Sequence, residues 1–290
     1  MAESNAAPDL PPLLGAAELL RVDATRGLLI VDCRHDLPRP GWGATVYAEG
    51  HLPGAVFAAL DRDLSGPVRP GTGRHPLPDP SDFARTLGSW GLVPDTRVVA
   101  YDQGPGAYAA RLWWMLRSVG HRRVQVLDGG LAAWIDAGGA LTKDVPAVTP
   151  TAVPVREFAG VVETPRLQEA LVAGRVTLVD ARGADRFAGQ NETIDPVAGH
   201  VPGAVNHPYG GNLSADGRTF LLPAELAQRW QSELQAARRA PIVAMCGSGV
   251  TACHNLLALE LAGYRDGQLY AGSFSEWITD PRRPVATGVS

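Results

Sequence analysis

Ala244-Met245-Cys246-Gly247-Ser248-Gly249-Val250-Thr251-Ala252 is the stretch that decides the fold. Ahead of it, Pro241-Ile242-Val243-Ala244-Met245 predicts a short buried parallel strand. Behind it, residues 251–261 predict a helix, with Leu256, Leu257, Leu259 and Leu261 on its apolar side. Cys246 therefore stands at a strand's carboxyl end and faces a helix N-terminus. Unpaired N–H groups of a first helical turn, together with the helix dipole, favour negative charge at that point. The thiolate is the form of cysteine that attacks. Gly247 and Gly249 let the backbone curl so that several N–H groups converge as an anion-binding nest. A lone cysteine in such a turn is more often buried and inert, but the glycines flanking Ser248 favour a nucleophile.

Working outward, the chain has 290 residues, which implies one or two domains. Lys and Arg number 26 against 30 Asp and Glu, a net charge of −4 with no basic block. That argues against nucleic acid as a partner. Three cysteines, Cys33, Cys246 and Cys253, make no disulfide framework and point to a reducing compartment. No Cys/His cluster has zinc spacing. The N-terminus has neither a basic nor an apolar targeting region. No run of about 18 apolar residues suggests a membrane span, so a cytoplasmic protein is expected.

The chain also repeats itself. Leu28-Leu29-Ile30-Val31-Asp32 is a strand ending in an acid, as is Val176-Thr177-Leu178-Val179-Asp180. Gly50-His51-Leu52-Pro53-Gly54-Ala55-Val56 matches Gly199-His200-Val201-Pro202-Gly203-Ala204-Val205, and Trp134 matches Trp277. Val98-Val99-Ala100-Tyr101-Asp102 matches Ile242-Val243-Ala244-Met245-Cys246. Helices are expected at 16–21, 81–90, 107–119, 131–137, 164–172 and 223–235, and residues 1–12 as a loose tail. Residues 61–80, rich in Gly and Pro, read mostly as loop. One duplication thus spans nearly the whole chain: residues 10–142, a linker at 143–160 rich in Pro, Val and Thr, and residues 161–286. Strands alternating with helices make this an α/β fold with parallel sheets, whose ligands sit at strand carboxyl ends. In the first half that position holds Asp102, which cannot act as a sulfur nucleophile, so this half is expected to be catalytically silent.

Two copies of this unit, with cysteine only in the second loop, resemble the tandem rhodanese sulfurtransferases. The fold so implied is two rhodanese-like domains, each a small parallel sheet flanked by helices. The loop Cys246-Gly247-Ser248-Gly249-Val250-Thr251 is similar to that of the 3-mercaptopyruvate branch; thiosulfate-preferring members carry basic residues after the cysteine, and here there are none. The resemblance implies that Cys246 takes sulfur from a small donor, 3-mercaptopyruvate foremost, as a persulfide. Cyanide, a thiol or a thioredoxin-type protein then accepts it, and the resemblance implies that no metal or organic cofactor is needed. Gly247, Gly249, Val250 and Thr251 would supply the cradle. Arg186 matches the family arginine that holds the donor's anionic group. A second arginine usual in this branch is absent from residues 189–198. Ser248 resembles the serine of a Ser-His-Asp arrangement whose other members would be His75 and Asp63, with Asp61 as the alternative acid. His51 and His200 recur in both halves and read as structural, as do Cys33, Cys253 and the pair Trp113-Trp114.

The same residues bear on three other classes. A cysteine phosphatase needs an arginine where this chain has Ala252. A nucleotide fingerprint at Gly104-Pro105-Gly106-Ala107-Tyr108-Ala109 is only the counterpart of the cysteine loop. An intact Cys246 loop argues against an inactive binding module, a persulfide carrier would use the same Cys246, and thiosulfate is the alternative donor.

Overall fold

A computed structural model describes residues 10–22, 27–234 and 241–288. Residues 1–9 of the expected tail and the expected helix end at Gln235 lie outside them. The first half runs β1 (Leu13–Leu14), α1 (Ala16–Leu19), β2 (Leu28–Asp32), α2 (Trp42–Glu49), β3 (Ala55–Phe57), α3 (Leu60–Asp63), α4 (Pro80–Ser89), β4 (Arg97–Tyr101), α5 (Ala109–Ser118), β5 (Val124–Leu127) and α6 (Gly130–Asp136). Its parallel sheet has the order β1-β5-β4-β2-β3. The second half runs α7 (Thr164–Val172), β6 (Thr177–Asp180), α8 (Ala184–Phe187), β7 (Val205–Asn206), a 3-10 turn (Tyr209–Asn212), α9 (Pro223–Leu234), β8 (Ile242–Met245), α10 (Thr251–Leu261), β9 (Gln268–Leu269) and α11 (Ser273–Trp277). Its parallel sheet has the order β7-β6-β8-β9.

The central strands are apolar on both faces because helices cover both sides, as parallel sheets require. Val98, Val99 and Ala100 are buried in one sheet, and Ile242, Val243 and Ala244 in the other. The duplication extends to side-chain detail. Arg34 forks onto Asp32 and reaches Gly50 O at 2.8 Å; Arg182 does the same with Asp180 and Gly199 O, also at 2.8 Å. His51 stacks on Tyr47, and His200 on Phe187. Each of these histidines is buried, with its Nδ1 on a backbone carbonyl. Trp134 and Trp277 each donate an indole N–H to a backbone carbonyl a few residues on.

Three local expectations are revised. Helix α2 lies outside the helices expected from the sequence, and the loop expected at 61–80 opens with α3. The start of α4 is set by Asp79 rather than Ser81: Pro80 fits the first turn, where no N–H is needed, and Asp79 accepts the Ser81 N–H at 2.8 Å. Residues 143–160 are strapped to the first half, with Thr151 bonded to Gly88 and Leu92 and Phe158 against Phe83 and Trp114.

The two halves meet through α5 and α10. Leu112, Trp113, Met115 and Leu116 share one apolar core with Cys253, Leu256, Leu257 and Leu259. Trp113-Trp114 are part of that core. The packing brings the carboxyl end of β8 against the first-half segment that carries Arg74 and His75.

Candidate active site

Cys246 follows β8, is 3 % exposed, and lines a cavity of about 250 Å³. That is below the ~300–1,000 Å³ of drug-sized sites, and suits a molecule of a few heavy atoms. Ser248 and Gly249 aim their N–H groups at its Sγ, at 3.4 and 3.1 Å. These two amides form the cradle at the free sulfur. Val250 and Thr251 instead wall the same cavity, with Gly247 beside the sulfur. Gly249 takes φ +79°, and a Cβ on it would lie 2.3 Å from Ala271 O, so the turn needs glycine.

The loop is clamped from α11. Ser273, the only non-glycine with positive φ among the described residues, accepts the Cys246 N–H at 3.1 Å. The N–H groups of Phe274 and Ser275 bond the carbonyls of Cys246 and Gly247 at 3.0 and 2.9 Å. The first half is fastened to the same turn, because the Arg74 N–H bonds Ser275 Oγ at 3.0 Å.

His75 Nδ1 lies 2.8 Å from Ser248 Oγ, so the expected serine–histidine pair is brought together across the two halves. The third member is a correction. Asp63 does not face His75; its carboxylate accepts the Ala59 N–H at 2.8 Å, at the start of α3, and pairs with Arg62. One helical turn cannot point residues two apart the same way, and the acid on the imidazole side is Asp61, with Oδ1 3.3 Å from Nε2. With a proton on Nε2 for Asp61, Nδ1 is left to accept from the Ser248 hydroxyl. Burial and the nearby Arg111 guanidinium push His75 down to about 4, so the ring is neutral near pH 7.

Arg186, on α8, also lines the cavity. Its Nε and Nη2 bond Glu192 at 2.9–3.1 Å, and Nη2 reaches Asp195 Oδ2 at 3.0 Å. Three contributors escaped the sequence. Arg74 enters the cavity from the first half, beside the recognised His75 in Gly73-Arg74-His75. Arg111 lies fully buried on α5, where an arginine inside Ala110-Arg111-Leu112-Trp113-Trp114 was the available signal. Its guanidinium bonds Gly249 O at 3.0 Å, His75 O at 3.1 Å and Leu64 O at 3.3 Å, tying the cysteine loop to the histidine segment. Ser273 had no signal, since its role rests on a strained backbone angle.

Cys253 Sγ donates to Gly249 O at 3.4 Å, and burial pushes its thiol up to about 12. Cys33 is likewise buried, and its thiol is raised by burial and by Asp32. In the first half, Asp102 already fills its own loop, accepting the N–H groups of Gly104, Gly106, Tyr108 and Ala109 at 2.8–3.3 Å. The amides that a nucleotide phosphate would need are occupied by that carboxylate.

The model of the rhodanese-like domain matches residues 16–137 and again 163–280. A Pseudomonas aeruginosa protein named "Probable 3-mercaptopyruvate sulfurtransferase" is 53% identical over 95% of this chain and 98% of its own. The thiosulfate sulfurtransferase of Bos taurus is 35% identical over 91% of this chain and 89% of its own. Among solved structures, 3-mercaptopyruvate sulfurtransferase from Leishmania major superposes with a TM-score of 0.80 at 31% identity, covering 93% of this chain and 75% of that one.

Proposed function

The chain belongs to the rhodanese-like family, two such domains in tandem, and is a sulfurtransferase; from that premise we propose that Cys246 takes sulfur from 3-mercaptopyruvate and passes it on as a persulfide. The Cys246 thiolate attacks the donor's sulfur. The S–S bond forms as the carbon–sulfur bond breaks, and the electron pair moves to the methylene carbon as the enolate of pyruvate. The donor's thiol proton ends on that carbon, leaving pyruvate and the anionic Cys246 persulfide. Cyanide then takes the outer sulfur as thiocyanate and restores the thiolate; in the cell a thiol or thioredoxin-type protein is the acceptor we favour. A reducing compartment such as the cytoplasm suits three free cysteines.

One observation carries the choice of donor: the line Ser248–His75–Asp61 beside the cysteine. Thiosulfate releases sulfite, a stable anion that needs no proton. A carbon leaving group does need one, and a hydroxyl backed by a neutral imidazole can relay it from the donor's thiol. The amides of Ser248 and Gly249 would hold the charge on sulfur throughout, and Arg186 would hold the donor's carboxylate. The division of labour follows: residues 161–286 carry the nucleophile, residues 10–142 lend the relay, and 143–160 joins them.

The test is initial rates with cyanide as acceptor, for 3-mercaptopyruvate and thiosulfate, in the native chain, Cys246→Ser and Ser248→Ala. Mercaptopyruvate is expected to be preferred, and Cys246→Ser to be inactive. Ser248→Ala should lose about 10²-fold or more with mercaptopyruvate and far less with thiosulfate. Preference for thiosulfate, or equal losses with both donors, would overturn the assignment.

A further inference from the structure

Two guanidiniums converge over the residue after Cys246. A Cβ placed on Gly247 would lie 2.7 Å from Arg74 Nη2 and 3.7 and 3.8 Å from Arg186 Nη2 and Nη1. These two side chains come from opposite halves of the chain and line the same cavity as the cysteine. Between them sits one carboxylate. Asp195 places Oδ1 on Arg74 Nη1 and Oδ2 on Arg186 Nη2, one oxygen to each guanidinium. Paired donors of this kind are what a planar carboxylate matches.

The two acids at this site are not held alike. Glu192 grips the Nε edge of Arg186, and its own Oε1 accepts the N–H groups of Ile194 and Asp195 at 2.8 and 2.9 Å. It is built into its loop. Among the described residues, the Asp195 carboxylate is bonded by the two arginines alone. Its side chain is 1 % exposed, whereas those of Arg74 and Arg186 are 32 % and 19 % exposed. A small anion in the cavity therefore reaches both guanidiniums directly. Glu192 and Asp195 already pair both guanidiniums, so no unpaired cation is left among these four side chains.

We infer that Arg74 supplies the second guanidinium of the donor's carboxylate seat, and that Asp195 occupies this seat until an α-keto acid donor displaces it. This rests on the donor assignment above. The first half then contributes to specificity as well as to the proton relay, and the affinity for donor is set by competition with an internal carboxylate. An incoming carboxylate that takes Arg74 Nη1 and Arg186 Nη2 exchanges with Asp195 without any covalent change, and those two contacts cannot be held by both carboxylates at once.

The experiment uses the full chain with Arg74→Gln and Asp195→Asn. It reads KM and kcat with both donors, and the Kd for pyruvate by calorimetry, which needs no turnover. Asparagine keeps the shape of Asp195 but not its charge, so it competes less. Asp195→Asn is expected to lower KM for 3-mercaptopyruvate and Kd for pyruvate by several-fold. Arg74→Gln is expected to raise both by about 10- to 100-fold, the range for a lost charge-assisted bond, with kcat changed much less. If Asp195→Asn raises KM as far as Arg74→Gln does, Asp195 merely aligns the arginines and the competition is refuted. If Arg74→Gln leaves KM and pyruvate binding unchanged, Arg74 is not in the seat. A native enzyme that prefers thiosulfate overturns the donor assignment separately. In that case loss of pyruvate binding in Arg74→Gln would still uphold the seat itself.

Discussion

Replacing Gly249 by Ala tests how closely the sulfur cradle depends on backbone shape. At φ +79° an alanine carries a penalty of about 1–2 kcal/mol. Its Cβ would stand 2.3 Å from Ala271 O and 3.1–3.2 Å from Ala271 C and Cα. Those are backbone atoms, and Tyr270, just before them, bonds Ala244 O in the sheet. Relief requires a shift of roughly 1 Å, which adds about 1–3 kcal/mol of overpacking strain. The same shift stretches the 3.1 Å bond from the Gly249 N–H to Cys246 Sγ beyond useful range. A hydrogen bond to a charged group contributes about 1.5–3 kcal/mol, so persulfide formation should slow by about 10- to 150-fold. Gly247→Ala is the control. Its Cβ meets only the mobile ends of Arg74 and Arg186, so it should fold normally and show its effect in KM. Thermal unfolding and single-turnover persulfide formation, measured on both variants, separate the two. A Gly249→Ala protein with native stability and rate would refute the argument. So would a Gly247→Ala protein as unstable as Gly249→Ala.

Three further outcomes follow from named contacts. Asp61→Asn should lower kcat/KM for mercaptopyruvate by a few-fold, since this acid is largely exposed. Asp63→Asn should instead lower the melting temperature through the lost contact with the Ala59 N–H; the reverse pattern in kinetics and melting would restore Asp63 as the orienting acid. His254 is held by burial at about 3, with Nε2 on Pro105 O and Nδ1 facing Asn212 Nδ2. Because the unfolded chain binds this proton near pH 6.5 and the folded chain does not, stability should fall from about pH 6.5 downward, by about 3 kcal/mol at pH 4. Urea unfolding at pH 7 and pH 4 checks this, and an equal acid loss in His254→Gln would exclude His254 as the cause. At Ser273, both Ala and Gly remove the hydroxyl that accepts the Cys246 N–H, at about 1–3 kcal/mol. Gly also relieves φ +54°, so Ser273→Gly should unfold at a higher temperature than Ser273→Ala; the opposite order would mean that no strain is stored there.

The fold was legible because its signals were local and doubled. A strand ending in Asp, a Gly-His-x-Pro-Gly-Ala turn and a late tryptophan occur twice, and each has the same structural task in both halves. The cysteine loop was legible because strand, glycines and helix adjoin in sequence. What lay between the halves was harder to read. Asp61 and Asp63 are two residues apart in one turn of helix, and only the packing of α3 decides which one meets the imidazole. Arg74 was passed over because a second arginine was sought in residues 189–198, whereas the fold delivers one from the other half. Arg111 was hidden by its setting, because an arginine between Ala110 and Leu112 in a core helix presents no motif.

The first half has a loop equivalent to the cysteine loop, and the two differ in what they hold. Four amides close on the Asp102 carboxylate, where the second half directs two at a sulfur. A fixed carboxylate satisfies its nest permanently and leaves no room for a substrate; a cysteine leaves its outer face free to bond another sulfur. The corresponding helices then reach across to one another's loops. From α5, Arg111 bonds Gly249 O at 3.0 Å; from α10, His254 lies 2.9 Å from Pro105 O. Each loop is thus held in part by the opposite half, and the α5–α10 packing that buries the shared core also sets the position of the cysteine turn. With His75 and Arg74 arriving by the same interface, the first half cannot drift without moving both the His75–Ser248 contact and one wall of the cavity. Arg111 in the core of the first half bonds the carbonyls of Gly249, Leu64 and His75, and so fixes the distance between the cysteine turn and the residue behind Ser248.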